Sequence, residues 1–186
     1  MLCLILLASC TNVDIEPLPE GMVDIFKGLH EDVYGVYAVG LDRDRIHRLL
    51  SKSFMGEALT QEYIEHFTTL HKMTDEETAI AIRKIDYNSV EVISHRIDGV
   101  QIDADWSVGG IVTHQQHKHP RVNRYRAIYT LQKNASEEWR IVDTKMRNVA
   151  RVQRAVFSDD EFFENQDAGG GFLDPLDLID GGVGGK

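Results

Sequence analysis

The run His114-Gln-Gln-His-Lys-His-Pro-Arg-Val-Asn-Arg-Tyr125 concentrates three imidazoles, two guanidiniums, an ammonium, three amides and a phenol in twelve residues. If the chain is extended from His117 onward, alternate side chains share a face, so His117, His119, Arg121, Asn123 and Tyr125 project together. Three readings fit that line. Imidazoles two apart on a strand both reach one ion, so His114, His117 and His119 form a candidate divalent-metal site, although no Asp, Glu or Cys in the run adds charge. Alternatively, the imidazoles and Arg121 recognise an anionic or carbonyl ligand, with a His as acid or base near neutral pH. The third reading is a solvated polar hairpin with no ligand at all.

These side chains need a floor. Upstream, Val100, Ile102, Ala104, Trp106, Val108 and Gly110 alternate with Gln101, Asp103, Asp105 and Ser107, the period-two pattern of a half-buried strand. The Trp106 face continues through Val112 to His114. A polar rim over an apolar floor is the usual make-up of a small-molecule pocket. Asp103 and Asp105 fall opposite Trp106 and are expected to face solvent, and Asp86 and Asp143 have no evident partner. Tyr125 and Tyr129 face the same way as Asn123. His30, His47, His66, His71 and His95 are read as scattered on polar faces. No phosphate-binding glycine loop, Gly-x-Ser-x-Gly elbow or HExxH helix is present, and Cys3 and Cys10 both lie in the first ten residues.

The elements that must carry these residues change character near Thr78. Apolar spacings of three and four predict helices over 20–39, 44–54 and 60–73. Gly40 stops the first, Asp42 caps the second, Gly56 breaks the pattern, and Thr60 is the expected N-cap of the third. Beyond Thr78, segments 79–95, 100–113, 121–133 and 138–154 are rich in Val, Ile, Tyr and Trp and predict four strands. Turn chemistry at Asp98-Gly99, His119-Pro120 and Asn134-Ala-Ser136 joins them as an antiparallel meander. The pair Gly109-Gly110 predicts a bulge or bend within the second strand.

Helices followed by a long antiparallel sheet predict an α+β fold. The element order, the Trp106-Ser-Val-Gly-Gly110 segment and the ending Glu138-Trp-Arg-Ile-Val142 resemble the NTF2-like (SnoaL/ketosteroid-isomerase-type) superfamily over residues 20–156. The resemblance implies N-terminal helices packed on a strongly curved four-stranded sheet, a cone with a pocket inside. It further implies a homodimer formed through the sheet, and isomerase or hydratase chemistry from acids inside the cone in the enzymes of that family.

The ends read differently. Leu7-Ala8-Ser9-Cys10 resembles a bacterial lipobox, in which Cys10 is lipidated, and residues 1–19 then form a signal or lipid-anchor segment and tether. The apolar run Met1–Ala8 is far short of the ~20 residues of a spanning helix. No basic segment precedes that run, so the expectation is a translation start upstream or the end of a truncated span, and the alternative is a disordered hydrophobic N-terminus of a cytoplasmic protein. Residues 157–186 form an acidic, glycine-rich tail, expected to be disordered, whose eight acids against one lysine carry most of the net charge of −10. A near-neutral body with an acidic tail argues against nucleic-acid binding. The expectation is a membrane-anchored domain on the periplasmic or extracellular face that binds a small ligand or a partner protein without catalysis.

Overall fold

The computed structural model describes residues 17–97, 99–114 and 117–152. Cys10, the expected tether up to residue 16, and the acidic tail lie outside them. Three helices, α1 (Met22–Val33), α2 (Arg43–Ser53) and α3 (Gly56–Asp75), precede four strands, β1 (Thr78–Arg96), β2 (Gly99–His114), β3 (His117–Lys133) and β4 (Trp139–Val152). The strands pair antiparallel in the order β1-β2-β3-β4, so the α+β fold and the meander stand, but His119 and Pro120, expected at a turn, lie inside β3 and pair with Val112 and Ile111. Among the described residues no helix is long and apolar enough to cross a membrane.

The helices cover one face of the sheet. Phe26, Val36, Ile46 and Leu50 from the helical half meet Val100, Ile102, Trp106, Leu131 and Ile141 from the strands, all fully buried. Burying a side chain of that size contributes about 1.5–3 kcal/mol, so this layer decides which sheet face turns inward. Asp42 caps α2 by accepting from the Arg45 backbone N–H at 3.0 Å. At the α2–α3 junction the Met55 N–H donates to the Ile141 carbonyl at 3.0 Å, pinning that corner to β4. Helix α3 begins at Gly56 rather than Thr60, and Thr60 sits inside it.

The expected helix over 20–39 ends early. After Val33 the chain tightens into a 3₁₀ turn, Tyr34–Ala38. In that geometry residues three apart eclipse one another, which stacks Tyr34 above Tyr37 on one side.

The irregularity expected at Gly109-Gly110 lies across the ladder from it. The β2–β3 register runs unbroken through both glycines, whereas β1 carries register shifts at Arg83, Asn88 and Ile93. Two further shifts lie between β3 and β4, at Arg147 and Val142. Extra residues thus sit on the outer strands while the central pair stays regular. Gly110 is required by a close approach: a β-carbon there would lie 2.7 Å from the Ala81 carbonyl oxygen.

Candidate functional site

Two cavities open between the helices and the sheet. The first, about 260 Å³, is floored by Trp106, Tyr125 and Tyr129 and walled by His30, Tyr34, Tyr37 and residues of α3. The second, about 240 Å³, lies over Ile82, Val108, Gly110 and Val112, with Arg121 and Asn123 on its wall. Tyr34, Tyr37 and Tyr125 line both and form the partition between them. The 3₁₀ turn aims two of those three phenols into this space.

The first cavity rests on an aromatic cage around His30. Met22, Phe26, His30 and Val33 form the buried stripe of α1, and His30 is only 3% exposed. Its ring stacks on Phe26 at 5.4 Å and stands edge-on to Trp106 at 4.6 Å and Tyr129 at 5.5 Å. Its Nδ1 shares a hydrogen bond with the Tyr87 hydroxyl at 2.8 Å. Burial disfavours the imidazolium and lowers the pKa of His30 to about 3, so the ring is neutral across the physiological range. This corrects the reading of His30 as one of several histidines on polar faces. Spacing held the signal, because His30 lies four residues after Phe26 and three before Val33.

Phenols add hydrogen-bonding groups to the cavity wall. Trp106 Nε1 donates to the Tyr34 hydroxyl at 2.7 Å, and no described residue accepts that hydroxyl's own proton. Burial pushes Tyr37 up to about 12 and raises Tyr34 and Tyr129 as well, so all three are protonated donors at neutral pH. The Glu62 carboxylate on α3 adds to the rise at each of them, which sets its charge within electrostatic reach of all three. Glu62 is 3.5 Å from His66 one turn later, and both side chains are mostly covered. His66 is therefore also misplaced by the polar-face reading. On β4, Thr144 lines the same cavity, and its buried Oγ1 finds no hydrogen-bond partner among the described residues. Among the described residues no Lys or Arg lines this cavity, and its acidic side chains are Glu62 and Glu65.

The sequence-predicted line is brought together only in part. Pairing of Trp106 with Tyr125, Val108 with Asn123, Gly110 with Arg121 and Val112 with His119 puts His117, His119, Arg121, Asn123 and Tyr125 on the Trp106 face. Tyr125 stacks on Trp106 with ring centroids 5.4 Å apart. Asn123 Nδ2 donates to the Tyr125 hydroxyl at 2.9 Å, and Asn123 Oδ1 accepts from Arg121 Nε at 3.3 Å. Trp106, Arg121, Asn123 and Tyr125 line the cavities, whereas His114, His117 and His119 line neither. Of the three imidazoles, His114 and His119 meet, with their Nε2 atoms 3.1 Å apart. The His117 ring lies 6.4 Å from that of His114. No cluster of three or more His, Cys, Asp or Glu suited to a metal occurs among the described residues.

The aspartates face away, as the alternation predicted. Arg124 and Arg126 each grip one from the neighbouring strand through two hydrogen bonds, Asp105 at 2.8 and 2.7 Å and Asp103 at 3.1 and 2.8 Å. Those bonds hold both carboxyls below the usual range. Asp86 pairs with Lys84 and Asp143 with Lys145, each on the outer face. The chain matches no family model and no curated protein.

Proposed function

We propose that this protein is a membrane-tethered domain of the NTF2-like superfamily that holds a small, neutral, largely aromatic ligand between its helices and its sheet, without transforming it. The carrying observation is the first cavity, an aromatic box with an unpaired Thr144 hydroxyl on one wall and the Tyr34 proton on another. Buried polar atoms are nearly always hydrogen-bonded, and a bound acceptor group satisfies both. The volume of about 260 Å³ lies just below the usual range of ligand sites, which limits the occupant to a one- or two-ring molecule. Glu62 and Glu65 repel an anion. The shifts on the edge strands support the strongly curved cone, since each bulge bends and twists its strand.

The absence of chemistry in this reading rests on the placement of the acids. Asp103 and Asp105 are committed to Arg partners on the outer face, and Glu62 is shared with His66. The isomerase or hydratase reading retains one supporting observation, the Glu62 charge beside three protonated phenols. Native mass spectrometry of the full chain purified from cells tests the proposal: a small molecule retained by the wild type and lost in Ala58→Phe supports it. Retention by both contradicts the site. Ala58 is buried on the cavity wall, so a phenyl ring there fills the space.

The tether rests on Leu7-Ala8-Ser9-Cys10, and Cys10→Ser then releases the protein from membranes. The implied homodimer uses the outer face of the sheet. Light scattering at twice the 21.1 kDa of one chain supports that dimer, and 21.1 kDa contradicts it.

A further inference from the structure

We infer that His114 and His119 form a two-imidazole site for a divalent transition-metal ion, separate from the cavities. His114 ends β2, and His119 stands diagonally across from it near the start of β3, on the same face of the sheet. Cross-strand diagonal neighbours are within reach of long side chains. Their Nε2 atoms lie 3.1 Å apart, with the rings at 72° to one another. Two metal–nitrogen bonds of about 2.0–2.1 Å to atoms so spaced subtend roughly 100° at the ion, a normal angle between adjacent ligands.

The tautomers favour the same conclusion. His119 Nδ1 lies 3.3 Å from the Pro120 carbonyl oxygen, an acceptor that keeps the ring proton on Nδ1. His119 Nε2 is then a bare lone pair, and His114 Nε2–H donates to it. An arriving ion takes the place of that single hydrogen, and His114 binds as its other neutral tautomer, with the ring proton on Nδ1. A backbone carbonyl behind a ligating imidazole is the usual second partner that fixes ring orientation. Both rings are partly exposed, which leaves the remaining coordination positions to water. A neutral all-nitrogen pair suits imidazole-preferring ions such as Ni²⁺, Cu²⁺ or Zn²⁺ over Mg²⁺ or Ca²⁺.

The test is calorimetric titration of Ni²⁺ into the tag-free full chain with Cys3 and Cys10 replaced by Ser, which removes its only two thiols. The expected result is one ion per chain, with affinity at least tenfold weaker in both His114→Ala and His119→Ala and unchanged in His71→Ala. His119→Gln, which keeps a polar side chain, gives the same loss, and matching circular dichroism in EDTA shows that each variant is folded. Wild-type affinity in either His114 or His119 variant overturns the inference. So does a loss in His117→Ala that exceeds the loss in His119→Ala.

Discussion

His30 on α1 and Tyr87 on β1 share a 2.8 Å hydrogen bond that ties the helix layer to an outer strand of the sheet. The imidazole is enclosed by Phe26, Trp106 and Tyr129 and is held neutral by burial. Its free-energy contribution therefore depends on pH in a defined direction. Below about pH 6.5 the unfolded chain protonates His30, while the folded chain resists until about pH 3, so folding is progressively disfavoured across that window.

Replacing His30 by Leu strips Tyr87 of this partner and costs about 1–3 kcal/mol at pH 7. The variant has no imidazole to protonate, so its deficit shrinks by up to about 1.4 kcal/mol per pH unit below 6.5. Urea unfolding of both proteins at pH 7 and pH 5 measures this. A deficit that stays constant between those values contradicts a neutral, buried His30.

Trp106 and Tyr34 set a second expectation. In Tyr34→Phe the indole N–H loses its 2.7 Å acceptor inside the protein. Leaving a buried donor unmet costs about 1–3 kcal/mol, and the Trp106 emission shifts with its surroundings. Denaturant unfolding followed by fluorescence, in a Trp139→Phe background, reports both effects.

Neighbouring glycines on β2 separate close approach from ordinary packing. A β-carbon at Gly110 meets the Ala81 carbonyl oxygen at 2.7 Å, whereas one at Gly109 meets nothing nearer than Val122 at 3.7 Å. Gly110→Ala is expected to destabilise by about 1–3 kcal/mol, the usual range for overpacking. Gly109→Ala is expected to be near neutral. Thermal melts of the two variants side by side check the ordering, and equal losses contradict the register.

Thr144 links stability to binding. Thr144→Val removes an unpaired buried hydroxyl at nearly constant volume, so the free protein gains up to about 1 kcal/mol. If that hydroxyl serves a ligand, the same change weakens binding. Melting temperatures with and without ligand separate the two effects.

Much of this architecture was legible in the residues, and the gaps have physical causes. The change of period near Thr78 marked the sheet, because alternation along β2 is unbroken from Val100 to Val108. The shifts in β1 were hidden, since an extra residue flips the alternation without changing composition. The helical stripe of α1 is visible in the spacing, yet a histidine is polar by type, and only its position matches the buried phase. Likewise Ala58, Glu62, His66 and Leu70 repeat every four residues on α3, but carboxylate and imidazole obscured the inward face. The half of the site on the strands was readable from parity alone. The half on the helices depends on the 3₁₀ turn that aims Tyr34 and Tyr37, and no spacing rule announces that turn.

The most direct measurement is a titration of 1-naphthol, a neutral two-ring phenol, into the full-length Trp139→Phe protein while following Trp106 fluorescence. Saturable quenching that disappears on adding Ala58→Phe, with the unliganded melting temperature retained, is the predicted result. Undiminished quenching in the Ala58→Phe variant, or no saturable response in its parent, contradicts a ligand site between the helices and the sheet.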